Sequence, residues 1–171
     1  MSGFQRWALG NLTGNLNRGL FAEWLVGTAL GVIKDGDARA EWGAFDLRYG
    51  NVTIEVKASG RSQDWNRASR STPRFDIAPR KWTWDAAADT WKPLNPPRRL
   101  ADVYVFCLHN AEPATNENVQ DPDCWTFWVI PTRKLNEELG EQKSLGLSTL
   151  DSLTNKTRVD RSEIRSVLDT L

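Results

Sequence analysis

Three residues, Asp46, Glu55 and Lys57, are spaced so that a single β-hairpin brings them together. They lie in Phe45-Asp46-Leu47-Arg48-Tyr49-Gly50-Asn51-Val52-Thr53-Ile54-Glu55-Val56-Lys57. Gly50-Asn51 suits a two-residue hairpin turn. With that turn, Tyr49 pairs with Val52, Arg48 with Thr53, Leu47 with Ile54 and Asp46 with Glu55. Side chains alternate between the faces of a strand. One face then collects Phe45, Leu47, Tyr49, Val52, Ile54 and Val56, and the other Asp46, Arg48, Thr53, Glu55 and Lys57. Directly opposed residues place their Cβ atoms about 4.5–5.5 Å apart. Two carboxylates at that range repel unless a proton or a cation lies between them. The chemistry this predicts is capture of a divalent cation by hard oxygen ligands. The alternative is a solvated sheet face that carries charge for solubility alone.

A further acid is expected beside them. Asn15 to Gly31 is predicted to be a helix, with Leu16, Leu20, Phe21, Trp24, Leu25 and Leu30 recurring at helical spacing. Thr13 or Asn15 can cap its start and Gly31 its end. At 100° per residue, Glu23 falls between Leu16, Leu20, Gly27 and Leu30, with Arg18, Ala22 and Ala29 on the far side. A carboxylate on an inward flank either meets a cation or a donor, or stays at the margin of the apolar stripe.

The elements that must hold these groups follow from patterning. Asp102 to Leu108 is a continuous apolar run, expected of a strand covered on both faces. Cys124 to Ile130 is a second such strand. Ser59 to Ser71 reads as a polar stretch with a short helix, Arg74 to Ala78 as a short strand, and 81–84 with 90–92 as a second hairpin. Pro93, Pro96 and Pro97 mark a loop, and 112–123 another. A short helix starts at Pro131, and a final one spans 160–171 with Asp160 and Glu163 in capping-box spacing. The 171 residues are expected to form one domain (1–171). No apolar run approaches the length of a membrane span, and no signal-peptide pattern opens the chain. Cys107 and Cys124 read as buried free thiols, which fits a cytoplasmic protein. Two Cys and one His cannot build a Cys/His zinc site.

Net charge is zero, yet it is unevenly placed. Residues 61–99 carry nine basic groups against four acidic, and residues 100–171 seven against twelve. A basic stretch after the carboxylate hairpin suits a polyanionic substrate, or else forms a solvated loop face. The chain has nine Trp, four of them (Trp65, Trp82, Trp84 and Trp91) in the basic stretch. Most are expected to be core anchors, although aromatics interleaved with Arg can stack on bases.

A helix bearing Glu23, then Asp46, a turn, and Glu55-Val56-Lys57 together resemble the PD-(D/E)xK nuclease superfamily. The likeness covers about residues 15–110 as a fold pattern, and Phe45 stands where many members have proline. It implies an α/β fold: a restriction-endonuclease-like αβββαβ core, a mixed central sheet flanked by helices, and an added C-terminal strand and helices. It also implies a metal-dependent nuclease using Mg²⁺ or Mn²⁺. Asp46 and Glu55 would be its main ligands, the Val56 carbonyl would complete the inner shell, and Glu23 would bind directly or through water. Gln63 resembles the glutamine some members carry past the lysine strand.

Such a site needs little beyond these groups. Lys57 can orient or deprotonate the attacking water or neutralise developing charge. Arg61, Arg67, Arg70 and Arg74 are candidates for the DNA backbone. His109 is expected to be structural, and no phosphate-binding Gly-rich loop is present. A homodimer on DNA is expected, with one copy per strand and a protein partner as another source of specificity. The competing expectation is a non-catalytic DNA- or protein-binding domain of the same fold.

Overall fold

The structure, a computed structural model, describes residues 2–39, 43–62, 72–85 and 87–171. In chain order its elements are α1 (Gly3–Leu9), α2 (Asn15–Leu30), β1 (Leu47–Tyr49), β2 (Val52–Gly60), β3 (Arg74–Asp76), β4 (Arg80–Asp85), β5 (Thr90–Arg98), β6 (Val103–His109), α3 (Asn116–Gln120), β7 (Trp125–Pro131), α4 (Thr132–Leu139), β8 (Ser144–Gly146), α5 (Leu147–Leu153) and α6 (Ile164–Leu168). A mixed sheet in the order β1-β2-β6-β7 forms the centre, flanked by helices. β3 pairs with β8, and β4 with β5. Among the described residues, no helix is long and apolar enough to cross a membrane.

Three of the four expected hairpin pairs form, with Leu47 opposite Ile54, Arg48 opposite Thr53 and Tyr49 opposite Val52. The expected Asp46–Glu55 pair does not, because β1 begins at Leu47 and Asp46 bonds to Ile54 and Val56 instead. Gly50 sits at φ 58°, the positive φ that tight hairpin turns need. β2 then runs parallel to β6. Asp102 sets that register: its carboxylate accepts from the Thr53 N–H at 2.9 Å and the Thr53 hydroxyl at 2.7 Å, and its own N–H donates back to the Thr53 carbonyl. These bonds hold the Asp102 carboxyl below its ordinary range.

Two apolar layers sandwich the sheet. On one side Ala22, Leu25 and Val26 of α2 cover Ile54, Val56, Val105 and Cys107. On the other, Phe75, Ile77, Leu135 and Leu150 cover Tyr104, Phe106, Trp128 and Ile130. All seven residues of β6 are buried, as expected for a strand between two layers.

Several expectations are corrected. The polar hairpin face is not uniformly solvated: Arg48 is exposed and Lys57 half-buried, but Glu55 is only 3% exposed. Phe45 is not on the Leu47 face. It packs against the second layer, with the Arg48 guanidinium 4.8 Å over its ring, because the chain leaves the ladder at Asp46. α2 is rotated from its predicted orientation, with Leu16 exposed and Arg18 buried. The terminal nitrogens of Arg18 donate to the carbonyls of Thr13 and Ser62 and to Asn15 Oδ1, which gives partners to a side chain that periodicity alone assigns to water. Gly14, rather than Thr13 or Asn15, occupies the N-cap, and Gly31 at φ 73° ends the helix as expected.

Pro93, Pro96 and Pro97 lie inside β5, an edge strand that can forgo their N–H groups. The stretch 112–123 contains α3, started by a Thr115 capping box. Cys124 ends a 3₁₀ turn and is half-buried, whereas Cys107 is buried in β6. Helices α1 and α5 and strand β8 carried no sequence signal strong enough to predict. The terminal helix begins with the expected Asp160–Glu163 capping box but is α-helical only over α6, and Leu171 is exposed. The helix expected within 59–71 falls largely outside the described residues.

Candidate active site

β2 presents Glu55 and Lys57 on one face, as its alternation requires. Burying Glu55 would be costly without counter-charge. The fold supplies two: Lys57 Nζ lies 2.7 Å from Glu55 Oε1, and an Arg80 guanidinium nitrogen 2.9 Å from the same oxygen. These groups line a cavity of about 270 Å³ with Asp76, Ile77 and Tyr104. Tyr104 is the β6 neighbour of Glu55. Its hydroxyl is pushed up to about 12 by burial and then by the Glu55 charge.

Asp46 lies outside that cavity and meets β2 at its edge. Its N–H donates to the Ile54 carbonyl at 3.0 Å, and its Oδ2 accepts from the Val56 N–H at 2.7 Å. The carboxylate therefore takes the ladder position that the next residue of β1 would otherwise fill. It lies along the edge of β2, not on a face. Strand alternation sends the Val56 N–H and C=O out of this same edge, so the Val56 carbonyl points to the Asp46 side. Burial pushes the Asp46 carboxyl up to about 6. The nearby Glu55 and Glu23 charges add to the rise, and the Val56 N–H and Lys57 oppose it.

Glu23 approaches from α2. Arg39 holds it in a fork, Nε at 3.0 Å from both carboxylate oxygens and a terminal nitrogen 2.9 Å from Oε2. Glu23, Asp46 and Arg39 line a second cavity of about 420 Å³, walled by Leu20, Trp24 and Ile33. Glu23 thus does meet a cation, and it is 8% exposed.

The structure divides the expected set: Glu55 and Lys57 line one cavity and Glu23 and Asp46 the other, with Asp46 joined to β2 at the Val56 N–H. Of the expected DNA contacts, Arg61 follows β2, its N–H donating to the His109 carbonyl. Arg74 shares the exposed face of β3 with Asp76 and donates to Ser144 Oγ at 2.7 Å. Gln63, Arg67 and Arg70 lie outside the described residues. His109 is buried, Nε2 3.1 Å from the Asn118 carbonyl, and burial holds its pKa down.

Sequence reasoning did not assign Arg39, Arg80 and Tyr104 to the site. The signal for the two arginines was the unmet charge of inward-facing acids. Which cation answers each acid depends on loop paths that no local pattern encodes.

The donor set at this margin is oxygen, suited to a hard cation. Among the described residues, no three His, Cys, Asp or Glu side chains form a ready metal-binding group. Glu55 is occupied by Lys57 and Arg80, Glu23 by Arg39, and Asp46 accepts from the Val56 N–H. No protein-family model matches the chain, and no curated protein matches it.

Proposed function

We propose that this protein is a metal-dependent nuclease of the PD-(D/E)xK type, with Asp46, Glu55 and Lys57 as its reacting set. One observation carries the reading. Asp46 is docked on the Val56 N–H beside buried Glu55, in a field that makes its own ionisation unfavourable. A fold tolerates such crowding of carboxylates where a cation or a proton is meant to enter. Asp46, Glu55 and the Val56 carbonyl would hold Mg²⁺ or Mn²⁺. When bound, the cation would supply Lewis-acid polarisation of a phosphodiester and a water of lowered pKa.

The chain's own groups do the rest. Lys57, tethered to Glu55 at 2.7 Å, sets its ammonium at the site to orient the attacking water or balance the phosphorane charge. Arg80, paired with the same Glu55 oxygen as Lys57, would meet a phosphate oxygen. Glu23, held by Arg39, contributes negative potential and a site for water-mediated ligation. Arg61 and Arg74, with Arg67 and Arg70, are assigned to the DNA backbone, and a homodimer serves both strands. The restriction-endonuclease-like core agrees with the hairpin and the parallel β2–β6 pair.

The test is incubation of supercoiled plasmid with the protein in Mg²⁺, in Mn²⁺ and in EDTA. Cleavage in both metals, absent in EDTA and absent in Glu55→Gln, supports the reading. Intact plasmid at all metal concentrations ends it. A second reading, a non-catalytic binding domain of the same fold, is favoured by one fact: Glu55 and Glu23 already have protein counter-ions. Under it, Mn²⁺ titration gives no heat that Asp46→Ala removes.

A further inference from the structure

We propose that the β4–β5 ribbon is a nucleic-acid arm whose indole face stacks unpaired bases. The inference takes its occupant, a polyanionic strand, from the reading above. β4 and β5 run antiparallel, with Trp84 opposite Trp91 and Trp82 opposite Pro93. Cross-strand partners share a face, so three indoles and a proline ring gather on one side. Trp82 and Trp91 are 53% and 52% exposed. Trp84 is half-buried and meets Trp91 edge-to-face at 5.6 Å. That contact stiffens a two-stranded ribbon, which is marginal by itself in water.

The arm stands away from the core, since its strands make only slight contact with other named elements. Exposing indoles there costs solvation free energy that the same residues would recover in the core. The arm also carries Arg80, Lys81, Lys92 and Arg98 against Asp85 and Asp89, an excess of positive charge. Lys92 pairs with Asp85 on the face opposite the indoles, which Lys81 shares. Aromatic faces on a ribbon of net positive charge are the parts of a single-strand binding surface. A duplex offers no such surface, because its bases already stack on one another.

The root of the arm fixes its use. Arg80 opens β4 and its guanidinium reaches Glu55 at 2.9 Å. A strand lying on the arm is thereby led to the carboxylate site. The chemical class of ligand is a nucleic-acid strand with unpaired bases, as at a flap, a gap or an end.

The experiment measures binding in EDTA, which separates it from hydrolysis. Fluorescein-labelled oligodeoxythymidine, oligouridine and a blunt DNA duplex of equal length are titrated with the full chain, reading anisotropy and Trp quenching. Single strands are expected to bind more tightly than the duplex and to quench Trp emission. Trp82→Ala is expected to weaken single-strand binding about tenfold, with Trp82→Phe restoring most of it. The two single-stranded probes decide between DNA and RNA. Unchanged affinity in Trp82→Ala, a preference for the duplex, or a loss of self-association in sedimentation without loss of oligonucleotide binding each overturns the proposal. Trp82 is exposed, so an unaltered melting curve shows that the variant folds. Trp82-dependent binding without plasmid cleavage leaves the arm standing and removes the hydrolytic reading. Metal-dependent cleavage with binding indifferent to Trp82 does the reverse.

Discussion

Asp46→Asn is expected to stabilise the metal-free fold while removing its activity. The carboxyl rises from 3.8 to about 6 on folding, chiefly through burial and the Glu55 charge. A raised carboxyl means that the folded state holds its proton more tightly than the unfolded chain. Its favourable contribution is therefore complete below pH 3.8 and is lost as the pH climbs to about 6. Above that, the ionised folded state carries a constant penalty of about 3 kcal/mol. Asparagine keeps an oxygen for the Val56 N–H but sets an amide donor where a carboxylate oxygen stood. An unsatisfied buried donor costs about 1 kcal/mol or more. The net expectation is a gain of about 1–2 kcal/mol at pH 7.5, a rise in Tm of roughly 2–8 °C for a chain of this size. Guanidinium denaturation in EDTA, followed by Trp fluorescence at pH 7.5 and pH 4, measures it. Near pH 4 the gain should vanish and give way to a small loss, because the carboxyl is then protonated in the folded state while the amide donor still costs about 1 kcal/mol or more. His109, whose depressed pKa weakens the fold as the pH falls, is common to both proteins and cancels in the difference. Destabilisation by Asp46→Asn at pH 7.5, or a gain equal at both pH values, refutes the crowded-carboxylate account.

Addition of Mn²⁺ should invert the order. The wild-type Tm rises with metal concentration by mass action, Asp46→Asn stays flat, and differential scanning fluorimetry reads both. Lys57→Met should retain the calorimetric Mn²⁺ heat yet lose about 10²–10⁴-fold in plasmid cleavage rate, the range of a positioned proton-transfer group. Arg99→Ala should cost about 3 kcal/mol or more in urea unfolding. Its guanidinium is buried and donates to the carbonyls of Ile77, Gly140 and Gln142 and to Asn136 Oδ1, all within 2.9 Å.

The parts legible in the sequence are those fixed by short-range rules. Gly50-Asn51 and the alternation around it gave the register of the hairpin, and the unbroken apolar run gave the buried central strand. Gly31 gave the end of α2. The orientation of α2 was not legible, because a buried arginine looks like a solvent residue until its carbonyl partners are known. Thr13 and Asn15 are local to Arg18, but Ser62 is distant. The hairpin face was misjudged for a related reason. Alternation says which residues share a face, not what surrounds it, and Glu55 lies among residues 76–80 and Tyr104, farther along the chain. Alternation also fails where a side chain replaces backbone in the ladder, as Asp46 does, and so Phe45 crosses to the other layer.

The counter-ions at the site are unequally shared, and the inequality bears on function. Glu55 is neutralised twice over, by Lys57 and Arg80 on one oxygen, and Glu23 once, by a forked arginine. Among the described residues Asp46 accepts from a neutral N–H, and the charges of Glu55 and Glu23 act on it against that of Lys57. A purely structural role would call for the opposite arrangement, with each buried acid given its own cation, because an uncompensated buried charge is the costliest of the three. The deficit therefore sits on the residue bonded to the Val56 N–H, where, on the proposed reading, a cation would find both a charge to satisfy and a neutral oxygen. Arg80 sharpens the point. It holds Glu55 while the site is metal-free, and it belongs to the base of the ribbon. Arg80→Ala should then raise the affinity for Mn²⁺, by freeing one Glu55 oxygen, while lowering the cleavage rate. Loss of Mn²⁺ affinity in that variant would show that Arg80 organises the site instead of competing for it.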